Sequence, residues 1–440
     1  MSFPRVLIVA LGRINRVDTY NNGLLLRNLF GGWPRENLAQ IYSSGDSGDE
    51  GFFGNYYQLG PDDRRLGGLF FRLKAGDQQP KADAIASETS GNQTPGIMSR
   101  FKTTLKGLLM DTGVYELIFR PRISRQMMDW VREFKPDIIF AQGYNLTFTW
   151  LPVLLKQETG GRLALLSTDD WPTYLYSGQL GESKLFCWLL RPAVVEAAQR
   201  LMAAVDIPFA FGQPMACEYQ ARYGKEFVVM SHSDDRKRFD DAEPLRIHEK
   251  PIRTIVAIGY FNAYRWPLFQ DVNECCRLLE NQGIQVRVAL ISCGIDPEGE
   301  RALANCSYVD ILPDPGNELL PAYLKGADLL FLAEGFDEGW VSSIRLSISS
   351  KSHLYMFSRR PIIVYAHPDC GVSKYAATEQ WGVVVSKRNI ELLASAISQI
   401  ITNAETAKLL ISRADETADI NHVREASQAK FIKALTLVNE

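Results

Sequence analysis

Short β-branched or leucine-rich runs alternate with longer amphipathic stretches along most of the chain, the pattern of βα units that feed a parallel sheet. The runs fall into two series. The first predicts strands over residues 6–10, 38–42, 137–141, 163–166, 208–211 and 227–230, with helical periodicity over 124–134 between them. The second predicts strands over 254–258, 286–291, 309–312, 328–332, 361–364 and 382–384. Each series can build one doubly wound α/β domain. Residues 231–250 are strongly charged and lack apolar periodicity, so they read as the connection, with residues 1–245 forming one domain and 246–440 the other. The last apolar-periodic stretch, residues 404–438, is helical and is placed to pack back on the first domain. A stretch of low hydrophobicity, 75–96, reads as a surface insertion.

Composition narrows the class. The 440 residues suit two domains of roughly 200, and a 46% hydrophobic and 22% charged content supplies real cores rather than disorder. A net charge of −3 offers no field for nucleic acid, which is excluded as a partner. Seven cysteines, with no CxxC and no Cys/His ligand spacing, read as buried thiols of a reducing compartment, with no metal site. The N-terminal apolar run is too short for a secretory signal, and nowhere do about 20 apolar residues follow one another. A cytoplasmic protein is expected, with any membrane contact peripheral.

In open α/β sheets ligands sit beyond the carboxyl ends of the strands, so the loops there carry the chemistry. After the first strand, Asn22 and Gly23 open a helix without a GxGxxG, which removes the nicotinamide-type fingerprint; the free N–H groups can hold an anion or simply begin a helix. After residues 163–166 come Asp169, Asp170 and Trp171. Paired carboxylates beside an aromatic ring suit sugar hydroxyls or general-base work, or cap the next turn. In the second series Gly259 ends a strand and Arg265 follows at a helix start, a bidentate donor suited to a diphosphate or to a surface ion pair. Residues 328–365 are the most informative. A buried strand delivers Glu334, Gly335 and Phe336, and a serine-rich turn then places Ser349, Ser350 and Lys351 at a helix start, a combination that fits phosphate. Pro313, closing the strand at 309–312, completes the expected donor-binding set.

Four segments, NNGLLLRNLFGGWPRENLAQIY, EFKPDIIFAQGYN with LLSTDDW, ELLPAYLKGADLLFLAEGFDEG and SISSKSHLYMFSRRPIIVYAHPDCGVSKYA, resemble GT-B glycosyltransferases, within them the retaining enzymes of glycosyltransferase family four and bacterial polysaccharide-cluster relatives. The resemblance covers most of the chain. It implies two Rossmann-like domains facing across a cleft, a nucleotide-sugar donor on the second, and a glycan, lipid-linked or small-molecule acceptor on the first. It puts Arg265 and Lys351 on the donor diphosphate and Glu334 on the donor sugar. No cofactor beyond the nucleotide-sugar co-substrate is implied, and the leaving group is stabilised without a metal. Retention makes Glu334 the catalytic candidate; inversion would favour Asp169 or Asp170 as base. Two positions depart from the family pattern: Leu354 stands where a glutamate normally binds ribose, and Arg359 where a glycine is usual. A nucleotide-sugar epimerase and an inactive GT-B-like scaffold are the competing readings.

Residues 96–125 hold six basic residues, Arg100, Lys102, Lys106, Arg120, Arg122 and Arg125, against two acidic ones, a local excess of +4 interleaved with apolar side chains. The pattern fits an interfacial helix, so an anionic membrane surface at the inner face is a further expected partner.

Overall fold

Strands buried on both faces read as unbroken apolar runs, and the computed structural model, which describes residues 3–16, 21–45, 51–66, 114–180 and 182–437, places a strand at all twelve expected positions. In chain order they are β1 (Val6–Val9), β2 (Leu38–Tyr42), β3 (Asn55–Gln58), β4 (Arg64–Leu66), β5 (Phe119–Pro121), β6 (Ile138–Ala141), β7 (Arg162–Ser167), β8 (Ile207–Phe211), β9 (Val228–Met230), β10 (Arg253–Phe261), β11 (Val286–Ile295), β12 (Val309–Pro313), β13 (Leu329–Ala333), β14 (Ile362–Tyr365) and β15 (Val383–Val385). Seven form one parallel sheet in the order β3-β2-β1-β6-β7-β8-β9, and six form a second in the order β12-β11-β10-β13-β14-β15. Each sheet has apolar clusters on both faces, giving two three-layer sandwiches.

Three strands lay outside the sequence reading. The half-exposed β3 sits at the sheet edge, where burial imposes no apolar run. The short antiparallel pair β4 and β5 brackets the insertion at 75–96, which lies, with residues 96–113, outside the described residues.

In each sheet the strand order reverses beside the first strand of its series, between β1 and β6 and between β10 and β13. These are the topological switch points, where the loops on either side diverge and leave a crevice. They set where a ligand can enter.

The chain passes between the two sandwiches twice. The first passage follows β9. The second links the helix Ala404–Asn421, whose Ala414 and Ala418 belong to the second core, to the helix Arg424–Thr436, whose Phe431 lies fully buried against Phe30, Phe140 and Phe209 of the first. Arg162 donates to the carbonyls of Leu435 and Leu437 at 2.7 Å, fixing that last helix. The two passages run side by side: Asp234 N–H donates to His422 O and Arg424 N–H to Asp234 O, both at 3.1 Å.

Three imidazoles stack at this crossing, one from each passage and one between them. The His232 and His353 rings lie 6.0 Å apart and those of His353 and His422 5.9 Å apart, with His422 Nδ1 2.6 Å from the His232 carbonyl and Nε2 2.9 Å from the Tyr375 hydroxyl. Burial, reinforced at His232 by the neighbouring His422, drives His232 and His422 down to about 4, and His353 also falls well below the usual value. The folded state therefore binds fewer protons here than the unfolded chain, whose histidines titrate near 6.5. Their contribution is complete above about pH 6.5 and is lost as the pH falls toward 4. Denaturant midpoints measured across that interval should decline, and more shallowly in His353→Phe; identical slopes for the variant and the native chain would exclude the stack as the cause.

Candidate functional site

At the switch point of the second sheet, β10 and β13 direct their following loops to opposite sides, and five of the expected donor residues meet there. β10 reaches Gly259, whose φ of +124° suits glycine alone. A Cβ at this position would stand 2.5 Å from Lys351 Cε, so the lysine side chain lies directly across the glycine. The neighbouring β11 carries a bulge: Gly259 pairs with Ser292 and Tyr260 with Gly294, leaving Cys293 between them.

β13 delivers Glu334, only 3% exposed, whose N–H is held by Tyr365 O at 3.1 Å. A buried carboxylate requires a partner. Arg265, just ahead of the helix Pro267–Asn281, supplies it, placing Nε 2.8 Å and Nη2 2.7 Å from the same oxygen, Oε2. The guanidinium also lies 5.3 Å from the Trp340 ring centre, and that ring is stacked on Tyr264 at 4.7 Å.

Lys351 is the first residue of the helix Lys351–Phe357, with Ser350 at the cap position. The Ser350 hydroxyl makes no capping bond, and the Ser352 N–H donates instead to the Ser349 carbonyl at 3.1 Å. Desolvation, with the Arg265 charge second, pushes the Lys351 ammonium down to about 8, against the pull of Glu334 and Cys293. Among the described residues it has no hydrogen-bond or ion-pair partner. Two cations and one carboxylate, the carboxylate already paired, leave a site with an unmet preference for an anion.

The remaining expected residues take other positions. Gly335 packs its backbone against the Trp340 ring, Phe336 lies edge-on to Tyr365 at 5.1 Å, Ser349 is partly buried before the helix, and Pro313 is exposed at the end of β12, two strands from β10. Asn22 and Gly23 fall in the first turn of the helix Asn21–Phe30.

The acidic pair after β7 divides. Asp169 accepts from Ser347 Oγ of the second sandwich at 2.8 Å, and burial lifts its carboxyl above the ordinary range. Asp170, 1% exposed, is saturated instead. It accepts from Tyr219 and Arg222 at 2.9 Å and from Arg345, again of the second sandwich, at 3.4 Å. Glu218 takes the same two arginines at 2.8 Å each and is held down to about 2, by the Arg345 hydrogen bond first. Trp171 is 4% exposed and packs with Leu190 and Val194, a core position.

Sequence reasoning missed Arg345 and Ser347 as bridging residues. They stand in the serine-rich turn read as a phosphate loop, and their partners lie more than 120 residues away in the chain. The two departures from the family pattern are also explained locally. Leu354 packs, partly buried, at the edge of the second core. Arg359 keeps the left-handed backbone of the usual glycine, φ +50°, while its side chain pairs with Asp240 at 3.0 Å and Asp415 at 3.1 Å. Among the described residues no cluster of three metal-ligating side chains occurs, and no helix is long and apolar enough to cross a membrane.

No protein-family model matches the chain, and no curated protein matches its sequence. Solved structures do match in shape. Sucrose-phosphate synthase from Thermosynechococcus elongatus is 13% identical with a TM-score of 0.60, over 97% of this chain and 96% of that one. WaaG, a glycosyltransferase involved in lipopolysaccharide biosynthesis, is 12% identical with a TM-score of 0.54, over 98% and 99%. Anabaena HepE, solved in complex with UDP-glucose, is 10% identical with a TM-score of 0.58, over 98% and 99%. At such identities the likeness is one of fold: this chain has the two-domain Rossmann-like architecture of the GT-B class.

Removing Asp170 leaves Arg222 and Arg345 facing each other without their buried counter-charge. Asp170→Ala is expected to destabilise the protein by about 3 kcal/mol in denaturant titrations. A loss below about 1 kcal/mol would show that Glu218 alone holds the two arginines.

Proposed function

We propose that the protein moves a sugar from a nucleotide-sugar donor to a glycan, lipid-linked or small-molecule acceptor, in bacterial polysaccharide or glycoconjugate biosynthesis. The observation that carries this reading is the convergence of Arg265, Lys351 and Glu334 at the β10/β13 switch point, with an unpaired ammonium in a desolvated position. The fold shared with HepE, which was solved holding UDP-glucose, supports it.

The chemistry follows from charge. Breaking a sugar–phosphate bond develops negative charge on the diphosphate, and stabilising that charge is the largest demand on the site. Arg265 and Lys351, the latter at the start of a helix, supply positive potential there. In the retaining course, which needs no metal, the acceptor approaches on the leaving-group face and a phosphate oxygen takes its proton. Glu334 then orients the donor sugar and faces the positive charge that grows on it. Asp169, whose carboxyl is lifted by burial and which reaches the second sandwich through Ser347, favours a second reading, an inverting transfer with Asp169 as base. With leucine at 354, ribose hydroxyls must find their partner elsewhere.

Lys351→Ala and Arg265→Ala should each lower nucleotide diphosphate release by about a hundredfold or more in an otherwise folded protein. Glu334→Gln should depress kcat more than donor affinity. Because Lys351 is already down to about 8, kcat/KM for the donor should fall as the pH rises through that value. Near-normal turnover in both cation variants would reject the assignment, and release of nucleotide diphosphate from no member of a nucleotide-sugar panel would favour a scaffold.

The first domain also offers a face for a cytoplasmic-side lipid surface. On the helix Lys184–Ala204, Leu185, Trp188 and Leu189 are 63%, 75% and 38% exposed at i, i+3 and i+4 spacing, beside exposed Lys184. Arg120, Arg122 and Arg125 are exposed around β5, whereas Arg100, Lys102 and Lys106 lie outside the described residues. Wild type should co-sediment with anionic phospholipid vesicles at low salt and Trp188→Glu should not. An absence of binding by wild type at low salt would rule this contact out.

A further inference from the structure

The indole of Trp340, beside Glu334 and Arg265, carries a buried N–H that has no partner among the described residues. It is set by the helix Glu338–Ile344, where Asp337 Oδ1 accepts from the Trp340 backbone N–H at 3.0 Å. Its ring plane lies 9° from that of Tyr264, and Arg265 rests over it, so the three side chains form a single stack. Its pyrrole edge turns toward the backbone immediately after Glu334: a Cβ on Gly335 would stand 2.6 Å from Cδ1 and 3.3 Å from Nε1. Yet Nε1 is buried and, among the described residues, donates to nothing.

A buried N–H without an acceptor is disfavoured, and a ligand is the natural way to complete it. Trp266 has a similarly unpartnered indole, but it packs at the edge of the second core against Gly299 and Ile295. Only Trp340 combines the orphaned donor with Glu334 and Arg265. The neighbouring groups indicate which part of a donor it would meet. Arg265 and Lys351 carry full charge and suit the diphosphate. Glu334 can only accept hydrogen bonds while ionised, and Trp340 can only donate. A sugar hydroxyl both donates and accepts, so one hydroxyl can give its proton to Glu334 while its oxygen receives the indole N–H. The helix Trp171–Tyr174 of the first domain neighbours the helix bearing Trp340, which puts this edge at the seam between donor and acceptor sides.

We propose that Trp340 Nε1–H donates to a hydroxyl of the donor sugar, making Trp340 a residue that selects the sugar as well as one that steadies Arg265. The inference rests on the glycosyltransferase reading and deepens it. Trp340→Phe keeps an aromatic ring over Tyr264 and under Arg265 but deletes the N–H. Calorimetry with nucleotide diphosphates and the matching nucleotide sugars separates the two roles. The phenylalanine variant should bind nucleotide diphosphate within about twofold of wild type and nucleotide sugar about tenfold more weakly. Gly335→Ala, which displaces the indole edge while retaining Trp340, should show the same sugar-selective loss, and thermal unfolding checks that both variants are folded. Equal losses for the two ligands, or none for either, would overturn the sugar contact while leaving the glycosyltransferase reading intact. A wild type that binds neither ligand would remove that reading, and this inference with it.

Discussion

The double passage of the chain between its two sandwiches is the constraint from which the site follows. A single linker would leave the second sheet free to swing against the first. Here the segments around Asp234 and Val423 run side by side, and Phe431 is sunk in the first core, so the second domain is tethered at two adjacent points. A second set of contacts spans the cleft, Ser347 to Asp169 and Arg345 to Asp170 and Glu218. They involve the partly exposed side chains of Arg345 and Glu218, whereas the tether buries Asp234 and His422 beside the apolar Phe431. The two domains are thus held together both at the crossing and across the cleft.

Within the cleft, electrostatics decide what can bind. Asp170 and Glu218 are each matched by arginines and offer no remaining valence for a ligand. Arg265 and Lys351 share only Glu334, and Lys351 is held in a protein environment that disfavours its charge. On the proposed reading, an incoming diphosphate would favour the charged form of Lys351 and draw Arg265 partly from Glu334, freeing that carboxylate for a hydroxyl. Donor binding and the release of Glu334 would then be two consequences of one exchange of ion pairs.

How far this could be read from the sequence depends on whether the controlling contact is local. The inner strands of the two series were legible because a strand buried on both faces must be apolar throughout, and the partly exposed edge strands β9, β12 and β15 because they are still short, largely β-branched or apolar runs. Glycine at 259, the cations at 265 and 351 and the carboxylate at 334 were legible because strand ends in this fold place loops at a ligand crevice. The edge strand β3, with solvent on one side, gave no such run. The bridging roles of Arg345 and Ser347 were hidden for a different reason, since a hydrogen bond to a residue in the other domain leaves no periodic trace in either segment. Asp170 looked like a catalytic acid beside an aromatic residue, and only the three-dimensional neighbourhood supplies Tyr219, Arg222 and Arg345 to occupy it.

The two departures from the family pattern carry different weight once their geometry is known. Arg359 retains the positive φ that glycine normally serves, at a cost of about 1 kcal/mol for a residue with a Cβ, and its ion pairs to Asp240 and Asp415 offset that strain. The turn from helix to β14 is therefore preserved while its residue has changed. At 354 the backbone is an ordinary helical turn after Lys351, and the leucine side chain packs, partly buried, at the edge of the second core. Lys351 lies across Gly259 at the end of β10, and β14, which follows its helix, pairs in regular register with β13, so the helix that carries Leu354 is anchored at both ends.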